Sequence, residues 1–200
     1  MACPMRLILA SGSPRRRELL AALGWNFQVV VSQVDESPLP GESPEDMVLR
    51  LSLAKARDVA LRAPDALVIG ADTVVELDGQ IFGKPNGRDE GLRMLMALQG
   101  RTHRVHTGVS LVLGDRSVSG VETTRVLFRP LSAEDAACYI NTGEGDDKAG
   151  SYAIQGKGAM LVESIEGCYF NVVGLPVLRL SRLLEEMGFS LSDQLGGVSL

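Results

Sequence analysis

The stretch "LILASGSPRRRELL", Leu7–Leu20, sets three arginines directly after an apolar run and a turn of small residues. A buried strand, a small-residue turn and a helix start aim backbone N–H groups and the positive helix end at one point. Arg15 and Arg16 in that first turn oppose the helix dipole, at a cost of about 0.3–1 kcal/mol each. The cost makes sense where an anion, most simply a phosphate chain, sits in the turn. A solvated basic helix start is the plainer alternative. A second stretch, "IGADTVV" (Ile69–Val75), sets Asp72 just past a buried strand. A carboxylate there could bind a divalent metal, position water as a general base, or merely cap a turn. Lys84 in "GKP" is either a phosphate contact or an ordinary surface lysine. Asp35 and Glu36 in "QVDESP" are a further acidic pair, or part of a turn.

The third stretch, Gly143–Gly158, holds five glycines in sixteen residues, and so has few ways to bury itself. Long irregular segments in compact domains are often functional. The Gln155 amide, which donates and accepts, could read the edge of a base; a flexible loop is the competing account. Other residues carry less. His103 and His106, three apart on a strand, fall on opposite faces, which disfavours a shared metal. Cys3, Cys138 and Cys168 have no CxxC spacing, against a disulfide framework or zinc site. A formal net charge of −5 argues against a general nucleic-acid binder, so an anion site must be a local concentration of positive charge. The first apolar residues are too few for a secretory segment, and no run approaches the roughly 18 apolar residues of a membrane span. The expectation is a cytoplasmic protein.

These residues need elements to hold them. Met5–Ala10 reads as a strand buried on both sides, with Ser13 as cap and Pro14 as first residue of the helix that follows. Phe27–Val31 is a second strand. Ser43 and Pro44 open a long helix with acids in its first turn. Ala66–Gly70 is a buried strand, and Asp78-Gly79 predicts a hairpin. Arg88–Leu98 is a helix, and Thr102–Val112 and Ser117–Phe128 form a second hairpin about Gly114-Asp115. Ser132 opens a short helix with a capping-box-like start. Met160–Ile165 is a strand, Pro176–Met187 a closing helix, and about the last ten residues a loose tail. The pattern predicts one α/β domain over 1–200 with a mixed sheet.

Taken in order, "LASGSPRRRELL", "VDESP", "RLSLAKA", "GADTVV", "GKP", "TGV", "DKAGSYAIQG" and "NVVGLP" resemble the Maf family of nucleoside triphosphate pyrophosphatases. The resemblance implies an elongated mixed β-sheet flanked by helices, in two lobes with a central cleft, similar to the inosine triphosphate pyrophosphatases. It implies hydrolysis of a nucleoside triphosphate between its α- and β-phosphates with a divalent cation, Mg²⁺ or Mn²⁺. Asp72 then matches the catalytic carboxylate, and Glu36 is a second acid at the metal. Ser11, Arg15, Arg16, Lys55 and Lys84 match the phosphate-binding set. Arg15, Thr73 and Gln155 match the branch acting on dTTP and UTP. The 7-methyl-GTP branch tends to Trp, "SDQ" and Glu at those places. The implied partner is the nucleotide, not nucleic acid or membrane, and family members are often homodimers. A nucleotide-binding regulator of cell division or septum formation is the alternative, for which an acid at the scissile phosphate is unnecessary.

Overall fold

Leu7, Ile8 and Leu9 form an unbroken apolar run because strand β1 (Arg6–Leu9) has a parallel neighbour on each side and is buried on both faces. The computed structural model describes residues 6–196; Cys3, Met5 and the last four residues of the expected tail lie outside them. Strand β2 (Gln28–Val29) pairs in register Ile8↔Gln28, and strand β3 (Ala66–Leu77) pairs as Leu9↔Ile69. β2 is shorter than the expected Phe27–Val31. It ends the strand order with both residues exposed, so no second face rewards a longer ladder.

β3 runs to Leu77, so Asp72 lies inside the strand and not just past it as expected. Its pairing with β1 ends at Ile69, and strand β4 (Gln80–Phe82) takes up antiparallel pairing only at Val75. The β3–β4 turn is Asp78-Gly79, with φ of 51° and 82°, the left-handed pair that a two-residue hairpin requires. Strands β5 (Thr102–Leu113), β6 (Arg116–Phe128) and β7 (Val162–Glu166) complete a seven-stranded mixed sheet in the order β2-β1-β3-β5-β6-β7, with β4 on β3.

The chain forms two compact units. One draws on residues up to Asp72, Thr107–Glu122 and Gly174 onward; the other is Thr73–His106 with Thr123–Val173. In the first unit, helices α1 (Pro14–Ala22) and α2 (Pro44–Ala60) follow β1 and β2. The Ser43 hydroxyl accepts from Asp46 N at 3.1 Å, the expected cap. Leu7, Leu9, Leu67 and Ile69 face one core with Leu20 and Leu180, while Ile8, Val68, Ala56 and Val59 fill the other face. Helix α6 (Val177–Glu186) closes this unit, and Leu191–Leu195 then form α7 where a loose tail was expected. Ser190 and Asp193 make a capping box there, and the Trp25 indole donates to Gln194 O at 3.0 Å.

The second unit holds helices α3 (Arg88–Leu98), α4 (Ala133–Ile140) and α5 (Tyr169–Val173). The middle of the glycine-rich stretch, Gly150–Ile154, is buried here, against the expectation of a segment with little to bury. Tyr152, Ala153 and Ile154 are all in the interior. Tyr152 reaches His103 Nε2 at 2.8 Å and packs edge-on against Phe128. Residues 156–161 form a 3₁₀ turn, which delays β7 by two residues from the expected Met160. Cys138 and Cys168 are free thiols, and none of the helices described is long and apolar enough to cross a membrane.

Candidate active site

The site in the first unit is built on the turn after β1. Ser11 is buried, and its hydroxyl oxygen accepts from Ser13 N at 3.2 Å and from the Arg16 guanidinium at 3.1 Å. The same guanidinium donates to Ala71 O at 2.9 Å and through Nε to Gly174 O at 2.8 Å. Arg16 therefore ties the turn to the residue preceding Asp72 and to the segment leading into α6. Burial pulls its pKa down, and the charges of Asp72 and Glu36 oppose that shift. Arg15, one residue earlier, is half-buried in the first turn of α1. Ser13 makes no side-chain cap, so the hydroxyl usually spent on that helix end is not spent here.

Lys55 supplies the second half of the site. Its ammonium is buried and lies 2.6 Å from Asp72 Oδ1 and 2.9 Å from Glu36 Oε2. A buried ammonium needs such partners, because an unpaired charge is costly to take out of water. Helix α2 delivers it by an unusually close approach to the sheet. A Cβ on Gly70 would lie 2.1 Å from Ser52 O, and one on Gly108 would lie 2.1 Å from Val48 O. Only glycine allows both contacts, and Ser52 and Ser110 share a hydrogen bond of 2.8 Å beside them.

The loop that carries Glu36 is latched to α2. Arg50 donates to Glu42 Oε1 at 2.5 Å and Oε2 at 2.7 Å, and to Ser37 O at 3.2 Å. The Arg50 hydrogen bond holds the Glu42 carboxyl below its ordinary pKa. Further along α2, Asp58 accepts from Gln33 N at 3.1 Å. Asp35 points away from this work: it accepts from Ser37 N at 2.9 Å and Ser37 Oγ at 2.6 Å, which lowers its pKa. The turn account of Asp35 holds, and Glu36 alone of the pair reaches Lys55. Sequence reasoning missed the Arg50 clasp, since Glu42 and Arg50 share no helical face and no motif.

Two carboxylates converging on one cationic atom also test the fit of a divalent ion. Glu36 and Asp72 already place oxygens within hydrogen-bond reach of a single positive centre. A Mg²⁺-type ion asks for little more than one or two carboxylates, with substrate oxygens and water completing its shell. No group of three His, Cys, Asp or Glu side chains suited to a metal occurs among the described residues.

Three further candidates belong to the second unit. Thr73 follows Asp72 in β3 and is half-buried. Lys84 is exposed beyond β4, and its charge, after that of Lys148, helps hold the Asp147 carboxyl down although burial pushes it up. Gln155 is half-buried and sits at the cap position of the 156–161 turn without capping it.

Arginine, serine and lysine are gathered here with two acids beyond the carboxyl ends of parallel strands, the edge at which α/β sheets commonly bind their ligands. The chain belongs to the Maf family: a family model described as "Maf-like protein" matches residues 6–187. A relative named dTTP/UTP pyrophosphatase in Symbiobacterium thermophilum is 51% identical over 92% of this chain and 95% of its own. One of the same name in Moorella thermoacetica is also 51% identical, over 92% of this chain and 95% of its own. A HAM1 protein from Coxiella burnetii is 13% identical and covers 91% of this chain and 99% of its own, at a TM-score of 0.49. That last likeness is too slight to bear on function.

Proposed function

We propose that this chain is a nucleoside triphosphate pyrophosphatase acting on dTTP and UTP, the nucleotides in its relatives' names. The observation that carries the reading is the buried Lys55 ammonium held between Asp72 and Glu36, beside an arginine-bound turn. A triphosphate carries about four negative charges, and in an acidic protein it needs this local cationic ground. Ser11, Arg15, Arg16, Lys55 and Lys84 hold the phosphates. Asp72 orients a water molecule and takes its proton as the water oxygen bonds to the α-phosphorus. The α-phosphorus–oxygen bond to the β-phosphate breaks, and a nucleoside monophosphate and pyrophosphate leave. Lys55, 2.6 Å from Oδ1, fixes the direction of the Asp72 carboxylate. Glu36 and Asp72 would hold a divalent cation, Mg²⁺ or Mn²⁺, which when bound neutralises charge on the phosphate oxygens. Gln155, with Thr73, reads the base: thymine and uracil present acceptor, donor and acceptor in a row, and one amide satisfies two adjacent groups. The reading makes a cytoplasmic nucleotide the partner of this chain.

The test is a nucleotide panel with Mg²⁺ and Mn²⁺, with pyrophosphate quantified, on wild type and Asp72→Asn. The amide is nearly isosteric but is no base and a poorer metal ligand. Turnover of dTTP and UTP should fall by about 10²–10⁴-fold in variant protein shown to be folded. Near-wild-type turnover in the folded variant would sink the assignment, and tight nucleotide binding without pyrophosphate release in wild type would point to the regulator instead.

A further inference from the structure

Gln155 occupies the cap position of the 156–161 turn, yet its side chain makes no capping bond. That task falls to Glu144, eleven positions upstream. Glu144 Oε1 accepts from Lys157 N at 3.0 Å and Oε2 from Gly158 N at 2.7 Å, the N–H groups that a cap residue would serve. The Tyr139 hydroxyl donates to Glu144 Oε2 at 3.0 Å and accepts from Ala153 N at 3.0 Å. The backbone is thus held on both sides of Gln155, at 153 and at 157–158, by one Tyr139–Glu144 pair.

Two glycines of the stretch are shaped to the same Tyr139–Glu144 pair. Gly156 has φ of 65°, and a Cβ there would lie 2.1 Å from Glu144 Oε1. A Cβ on Gly158 would meet Ala153 O at 2.0 Å and the Tyr139 hydroxyl at 2.7 Å. Glu144 is itself anchored just past α4, where its N–H donates to Thr142 Oγ1 at 3.2 Å.

We infer that Glu144 is a positioning residue for base selection: by holding the backbone at 153 and at 157–158, it fixes the place from which the Gln155 side chain reads the base. The inference rests on the reading of Gln155 given above. Glu144 touches no reacting atom. It acts through Gln155, so it governs discrimination between bases and not the hydrolytic step. A merely structural carboxylate would weaken all nucleotides alike.

The experiment compares kcat/KM for UTP and GTP in wild type, Glu144→Ala, Glu144→Gln, Gln155→Ala and the Glu144→Ala/Gln155→Ala double variant. The UTP-over-GTP ratio should fall about tenfold in Glu144→Ala, the scale of one misplaced hydrogen bond. Glu144→Gln keeps one acceptor oxygen and should fall less. The double variant should show no lower ratio than Gln155→Ala alone, since a residue acting through another adds nothing once that other is gone. If Glu144→Ala does not fold, Glu144→Gln and Tyr139→Phe, which removes the hydroxyl bridge to Ala153, carry the same comparison. A ratio unmoved by Gln155→Ala overturns the reading of Gln155 and this assignment with it. A ratio that falls in Gln155→Ala but holds in the Glu144 variants, or that falls further in the double variant, overturns this assignment alone.

Discussion

Arg15 and Arg16 look alike in the sequence, two cations opposing one helix dipole, and the structure gives them different work. Arg16 is committed to three acceptors, Ser11 Oγ, Ala71 O and Gly174 O, of which the last is 158 residues away. Hydrogen bonds from a charged donor are worth about 1.5–3 kcal/mol each, and removing this donor leaves the acceptors unserved. Arg16→Ala should therefore lower the melting temperature and the activity together. Arg15→Ala should lower activity with the melting temperature held or slightly raised, as the adverse dipole charge is gone. Thermal melts beside kcat/KM for UTP check the pair. Equal melting temperatures for both variants would contradict the placement of Arg16. The sequence signalled a cationic turn but could not divide its labour, because two partners of Arg16 are backbone carbonyls that no residue type announces.

At the scale of elements, what was legible was local. Ser43, Ser132, Asp78-Gly79 and the period of the apolar residues each act within a few residues, and the caps and the hairpin turn stand where they predict. What was hidden depended on distant chain. Asp72 belongs to a longer strand because β4 renews the pairing beyond it. The middle of the glycine-rich stretch, Gly150–Ile154, is buried because His103 and Phe128 receive Tyr152. The approach of α2 to β3 and β5 was hidden for the same reason, since Gly70 and Gly108 read as ordinary strand glycines until Ser52 O and Val48 O lie against them. Gly70→Ala must push α2 outward, and overpacking of this kind costs about 1–3 kcal/mol. The displacement moves Lys55 with the helix, so activity should fall further than the stability loss alone explains. Gly79→Ala, which strains the left-handed turn at φ 82° but places a Cβ with nothing within 4 Å, supplies the control for a destabilising glycine change remote from α2. Full activity in a folded Gly70→Ala protein would show that the close approach does not position Lys55.

Across the whole molecule the chain passes between its two units at Asp72, His106, Glu122 and Val173, so neither unit is one continuous segment. Stability is then a property of the entire chain, and a weak point in either unit should be felt in global unfolding. His103 is such a point. Burial pushes its pKa down to about 4 from an ordinary 6.5. Its ring is enclosed by Tyr152 and Phe128, with Nε2 bonded to the Tyr152 hydroxyl. The folded state therefore holds His103 neutral while the unfolded chain takes up a proton below pH 6.5. Its contribution is fully present above that value, and it is lost progressively as pH falls toward 4. Between pH 7 and pH 5 the loss is about 2 kcal/mol, at 1.36 kcal/mol for each pH unit inside that window. Urea midpoints at the two pH values measure it. His103→Gln, which cannot charge, should show a smaller fall from pH 7 to pH 5 whatever its absolute stability. An equal fall in wild type and variant would mean that His103 is not what makes this fold sensitive to acid.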